Sequence, residues 1–110
     1  MTSRNSYTKY LRKDNQHYKV YMVECSDKTI YTGIAKDVDR RMGVHRRGKG
    51  SKYIRARLPI LLKWESEWMD KSSALKEERR IKSLTRQSKL NHILHYKCLK
   101  HGKIKYGRKT

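Results

Sequence analysis

A small α/β domain of the α+β kind, with a three-stranded, mainly antiparallel sheet flanked by helices, is the fold class this sequence predicts. Three observations carry it. Two runs rich in β-branched and aromatic residues flank a polar four-residue turn, a further extended run follows the single proline, and the remaining apolar residues recur at helical spacing behind Asp or Thr caps.

The first run is His17-Tyr18-Lys19-Val20-Tyr21-Met22-Val23-Glu24 and the second is Thr29-Ile30-Tyr31-Thr32-Gly33-Ile34, joined by Cys25-Ser26-Asp27-Lys28. This is a β-hairpin pattern. A turn centred near position 26 or 27 sets Tyr21 and Tyr31 opposite each other or one place off in the ladder. Asp37 can cap a helix running to about Arg47, ended by Gly48-Lys49-Gly50. On it Val38, Arg41, Met42 and His45 share one stripe, so a cation and an imidazole lie among apolar residues. Ser51 to Arg57 reads as a short helical piece. Pro59 then opens an extended run from Ile60 to Trp68, the third strand, since a strand's first residue needs no ladder donor. Asp70 opens the clearest helix, with Ala74, Leu75, Ile81 and Leu84 on the buried face. Glu78 falls near the centre of that face and Glu77 nearly as close, so periodicity does not separate them. Thr85 caps a last helix from Arg86 to about His95, with Leu90, Ile93 and Leu94 as its apolar side.

Composition supplies a partner class. The 110 residues carry 29 Lys and Arg against 10 Asp and Glu, a formal net charge of +19. Residues 1–17 hold four bases and one acid, and residues 95–110 six bases and no acid, which divides the chain into a basic N-terminal extension (1–17), a folded domain (18–94) and a basic tail (95–110). An excess of this size implies a polyanion, nucleic acid ahead of a membrane surface or an acidic protein. Within the domain, Lys36 to Arg57 contains nine bases (Lys36, Arg40, Arg41, Arg46, Arg47, Lys49, Lys52, Arg55 and Arg57) and two acids. Such a segment would track a phosphate backbone, and Tyr53 within it could stack on an unpaired base. Nothing in it forms a base-reading motif, so recognition of backbone or structure is expected. Lys97 to Lys109 is a second phosphate clamp or a disordered end. The longest uncharged apolar run is Leu58-Pro59-Ile60-Leu61-Leu62 and the chain is polar through Asn15, so neither a membrane span nor a signal peptide is expected, and the cytoplasm is the expected location. Cys25 and Cys98 make neither a metal-ligand pair nor a disulfide framework. No small-molecule cofactor is expected.

A hairpin with two tyrosines, an arginine and histidine one helical turn apart, and a carboxylate on an apolar helix face together form a specific combination. It resembles the GIY-YIG nuclease family, in its small single-domain branch. The first signature is Val20-Tyr21-Met22 and the second Tyr31-Thr32-Gly33; Gly33 through His45 is similar to the family's second block, Gly48-Lys49-Gly50-Ser51-Lys52-Tyr53 to the loop of the small branch, and Ser73 through Lys82 to the third block. The first signature lacks its opening Gly and Ile and the second has Thr32 for Ile, departures at backbone or packing positions. The resemblance implies that the functional arginine, ten residues after the second tyrosine, is Arg41, and that the metal-holding glutamate, three residues before Ile81-Lys82, is Glu78. It implies an endonuclease that uses Mg²⁺ or Mn²⁺ and hydrolyses phosphodiester bonds in DNA, with RNA as the other backbone, through Tyr21, Tyr31, Arg41 and His45.

These residue types suit that chemistry. Phosphodiester hydrolysis needs a deprotonated water, neutralisation of the phosphate oxygens and stabilisation of the departing 3′-oxygen. One carboxylate suffices for Mg²⁺, which keeps several waters and takes other ligands from substrate phosphate. Arg41 would grip the phosphate in a forked contact. A tyrosine, with an ordinary pKa near 10, needs a nearby cation to act as general base, and both Tyr21 and Tyr31 are candidates; His45 could relay or orient. The alternative is a DNA- or RNA-binding module with a vestigial nuclease site.

Overall fold

Strand β1 (Lys19–Glu24) is buried on both faces, which is why its sequence reads as an almost unbroken apolar run rather than an alternation. The structure is a computed structural model and describes residues 15–101, with the side chains of 15–95. The expected N-terminal extension up to residue 14 and the end of the basic tail from residue 102 lie outside the described residues. The elements follow in the order β1, β2 (Ile30–Ala35), α1 (Val38–Arg46), α2 (Lys52–Arg55), β3 (Leu61–Glu65), α3 (Lys71–Lys82) and α4 (Arg86–His101). The strands form one antiparallel sheet in the order β2-β1-β3. Tyr21 and Val23 point into a cluster with Val38, Met42, Ile54 and Leu62, under α1 and α2. Val20 and Met22 point into a second cluster with Trp64, Ala74, Ile81 and Ile93, under α3 and α4. The expected fold class is the observed one.

The hairpin closes on a five-residue loop rather than four residues, so the register differs from the expected one. Tyr21 pairs with Gly33 and Tyr31 with Val23, which places the two tyrosines two positions apart on the same face, diagonal neighbours with ring centroids 6.4 Å apart. Asp27 organises the loop by accepting from the Thr29 amide (3.1 Å) and hydroxyl (2.6 Å). Lys28 adopts a left-handed backbone, φ 73°, to complete it.

Strand β3 is shorter than the predicted Ile60–Trp68 run. Beyond Glu65 the Ser66 amide still donates to the Val20 carbonyl (2.8 Å), but the Val20 amide donates to the Ser66 hydroxyl oxygen (2.9 Å) instead of a backbone carbonyl, which ends the regular ladder before the isolated bridge of Tyr18 and Met69. Within β3 a bulge leaves Lys63 without an opposite number: Met22 faces Trp64, yet Val23 faces Leu62. Leu62 and Trp64 therefore face opposite cores, where strict alternation would put them on one.

The caps are those the sequence indicated. Asp37 accepts from the Arg40 amide (3.1 Å), Asp70 from Ser73 (2.7 Å) and Thr85 from Ser88 (3.1 Å), and Ser51 caps α2. Gly48, at φ 77°, turns the chain after α1. The apolar faces are narrower than predicted: Ala74 and Ile81 are buried, but Leu75 is 40% exposed and Leu94 63% exposed, one position off each stripe. Helix α4 continues past His95 to His101 because neither Gly nor Pro interrupts it before Gly102. Among the described residues no helix is long and apolar enough to cross a membrane.

The left-handed residue of the hairpin loop gives a stability prediction. Lys28→Gly removes the Cβ clash that a left-handed backbone imposes and stabilises the fold by about 1 kcal/mol; urea denaturation of the two proteins measures the difference.

Candidate active site

The four residues expected to act around the phosphate come together on the sheet face under α1. Tyr21, 1% exposed, reaches across the sheet to His45, 0% exposed, on the third turn of α1, and its hydroxyl lies 2.9 Å from Nε2. Two glycines make this possible. A Cβ on Gly33, the cross-strand partner of Tyr21, would lie 2.6 Å from the Tyr21 oxygen and 2.7 Å from Cζ. A Cβ on Gly50 would strike the His45 ring, with Cε1 at 2.8 Å and Nδ1 nearer still. The role of both glycines as clearances was missed from sequence, although each sits in a quoted motif.

Arg41, one turn before His45, brings its positive charge to bear on the Tyr21 hydroxyl. Donor and acceptor across this pair follow the imidazole tautomer: with the His45 proton on Nδ1, Nε2 accepts from the Tyr21 O–H. Burial pushes the Tyr21 hydroxyl up to about 12, opposed by Arg41, while Tyr31 and Glu78 add to the rise. Burial, and then the positive Arg41, hold His45 below its ordinary value. The resting pair is thus a neutral phenol and a neutral imidazole. Tyr31 meets His45 edge-on at 5.8 Å and stacks on Tyr53 at 5.8 Å. Tyr53 also carries the Arg57 guanidinium 3.8 Å over its ring, so the aromatic offered to an unpaired base is already in stacked company. Arg57 itself bonds Asp27 (2.9 Å) and the Tyr53 carbonyl (3.1 Å) and serves the fold.

Glu78 enters from α3, which packs mainly against β2 on the other side of the sheet, and its charge is felt at Tyr21. Both glutamates that periodicity left open are ion-paired along α3. Glu77 is clamped by Arg80, with Nε and Nη2 at 3.0 and 2.7 Å, whereas Glu78 is ion-paired with Lys82 at 3.3 Å, its side chain 19% exposed. Among the described residues no three His, Cys, Asp or Glu side chains gather as a metal cage. The donor set is one carboxylate, a hard oxygen ligand, which suits Mg²⁺ or Mn²⁺ completed by water and phosphate, and does not suit a metal that needs an all-protein shell.

Of the proposed backbone-tracking cations, Lys36, Arg40, Arg46, Arg47, Lys49, Lys52 and Arg55 are exposed, distributed over the start and end of α1, the glycine loop and α2. A groove of about 400 Å³ lined by Ile34, Ala35, Lys36, Asp37, Arg40, Arg41 and Val44 joins this surface to the site.

The buried imidazoles set a pH dependence. His45 resists protonation in the fold but accepts it at about 6.5 when unfolded, so its contribution to stability is complete above that pH and is lost as pH falls below it. His92, also held low chiefly by burial, acts in the same direction. Denaturation at pH 7.5 and 5 should show lower stability at pH 5, and His45→Gln should reduce that difference.

The motif-bearing span matches the model of the GIY-YIG catalytic domain over residues 17–91. A UPF0213 protein of Streptococcus agalactiae is 46% identical over 78 residues, covering 71% of this chain and 89% of that protein. A UPF0213 protein of Staphylococcus aureus is 50% identical over 74 residues, covering 67% of this chain and 90% of that protein. The solution structure of a UPF0213 protein from Bacillus halodurans is 39% identical, covering 77% of this chain and 86% of that one, with a TM-score of 0.47. With the domain model spanning most of the chain and these relatives spanned almost end to end, the chain belongs to the GIY-YIG family and to its UPF0213 group.

Proposed function

We propose that this protein is a divalent-metal-dependent endonuclease that hydrolyses phosphodiester bonds in DNA, directed by backbone or structure rather than by base sequence. The observation that carries the reading is the buried Tyr21–His45 hydrogen bond beside Arg41, with Glu78 in the same electrostatic neighbourhood. Arg41 grips the scissile phosphate through its forked donors. That engagement places negative charge beside the imidazole and favours its protonation. Tyr21 takes a proton from the attacking water and passes its own to His45 Nε2, so the phenol need not exist as a free phenolate despite its raised pKa. The hydroxide forms its bond to phosphorus as the bond to the 3′-oxygen breaks. Glu78 would hold a divalent ion, which would neutralise charge on the phosphate and on the departing 3′-oxygen until that oxygen takes a proton from water. Tyr31 supports the His45 ring edge-on and acts in positioning.

The second reading, a nucleic-acid-binding module that does not cut, draws support from the Lys82–Glu78 ion pair, which neutralises the carboxylate without a metal. Cleavage of plasmid, nicked, flap and junction DNA in Mg²⁺ and in EDTA separates the two. On the nuclease reading Glu78→Gln abolishes cutting, and Tyr21→Phe slows single-turnover cleavage by about 10²–10⁴, the usual range for a lost general base, while Tyr31→Phe stays within about tenfold of the parent. Parent-like cutting by folded Glu78→Gln or Tyr21→Phe would overturn the mechanism. Equal binding in Mg²⁺ and EDTA with no cutting of any substrate would favour the module.

A further inference from the structure

The chain has no Asp or Glu after Glu78, while the stretch from Arg79 to Thr110 holds eleven Lys and Arg. Its described part places two of these cations beside the aromatic cluster. A groove of about 200 Å³ is lined by Thr29, Ile30, Tyr53, Arg86 and Lys89. Tyr53 is shared between this groove and the site, because it stacks on Tyr31, whose ring meets His45. Arg86 is held in place: its Nε donates to the Lys28 carbonyl at 3.0 Å, from the first turn of α4 to the hairpin loop.

Three features thus lie in order along β2, an outer strand of the sheet. At its C-terminal end is the groove with Lys36, Arg40 and Arg41. Gly33 and Tyr31 lie in the middle, with Tyr21 beside them. At its N-terminal end is the groove with Arg86 and Lys89. From Thr29 to Lys36 the strand spans about 23 Å at roughly 3.3 Å per residue, the length of about seven nucleotide steps in a stacked strand.

We propose that a nucleic-acid backbone lies along β2 and that Arg86 and Lys89 hold its phosphates on the Thr29 side of the site. This rests on the proposed nucleic-acid substrate and extends it, because it adds an arm of the binding surface on α4, far in sequence from the Lys36 to Arg57 segment and touching it in space at Tyr53. The contact is to phosphate: cations, with a nearby aromatic, offer no pattern for reading base edges. Substrate gripped on both sides of the tyrosines is held in register for cutting between the two arms.

The test is salt-dependent binding of a fluorescein-labelled, singly nicked 30-base-pair DNA duplex, with Glu78→Gln in every protein so that cutting does not intervene. Arg86→Gln with Lys89→Gln should lower the magnitude of the slope of log affinity against log salt by roughly 2, about 0.9 for each lost phosphate contact. Lys71→Gln with Lys76→Gln removes the same charge from exposed positions of α3 and should change the slope far less. Lys89→Gln alone, which leaves the Arg86 anchor on Lys28 intact, should lower it by roughly 1 and guards against misfolding of the double variant. An unchanged slope in folded Arg86/Lys89 variants, or an equal fall in the α3 variant, overturns the arm. Cutting by the proteins with native Glu78 is read separately: a parent that binds with the α4-dependent slope but never cuts overturns the nuclease reading and supports the arm.

Discussion

A phenol and an imidazole buried against each other, Tyr21 from the middle strand and His45 from α1, tie the sheet to the helix that carries Arg41. Each is enclosed to the point that bulk water cannot replace its partner, so the 2.9 Å hydrogen bond between them fixes how α1 sits on the hairpin. Because Arg41 lies four residues before His45, the same docking brings its positive charge to bear on the phenol. The constraint also reaches the backbone, since Tyr21 leans over Gly33 and the loop after α1 passes at Gly50 with no room for a side chain. The chemistry and the packing of this face are one arrangement.

Features set by local physics were legible in the sequence. Asp37, Asp70 and Thr85 announced three helix starts because a capping side chain acts within three residues of itself, and the hairpin was announced by two β-rich runs around a polar turn. Features set by geometry between elements were not. Moving the turn centre by a single residue shifts the ladder by two, which is how Tyr21 and Tyr31 came to be diagonal rather than opposite. Leu75 and Leu94 lie at the border of an apolar stripe, where periodicity cannot tell the last buried position from the first exposed one. Glu77 and Glu78 differ by 100° around α3, and only the family motif distinguished them, since the structure gives each a basic partner on the same helix, Arg80 for Glu77 and Lys82 for Glu78. Arg86 and Lys89 sit in no motif, and their place beside Tyr53 comes from how α4 packs against the hairpin loop.

The described charges are unevenly matched across the molecule. Around β1 and β3, Lys19 meets Glu65 at 3.2 Å and Lys63 approaches Glu24 at 4.0 Å, so bases there have acidic partners. Around β2 Lys36, Arg40, Arg46, Arg47, Lys49 and Arg86 are exposed, Arg41 and Lys89 are half-buried, and Asp37 gives an oxygen to its helix cap. Exposed cations therefore line the β2 edge beside the tyrosines and contribute positive potential there. Net charge alone could not have supplied such a direction.

The bulge at Lys63 bears on chain length. Leu62 serves the core under α1 and Trp64 the core under α3, and in an unbroken ladder those two duties fall to consecutive residues. Strand β3 is thus one residue longer than its pairing requires. The surplus sits where the sheet can absorb it, and a chain one residue shorter at position 63 would restore regular alternation with both cores still filled. For this strand the tolerated change is one of count, and position 63 is where a natural insertion or deletion leaves the parity of every buried residue intact.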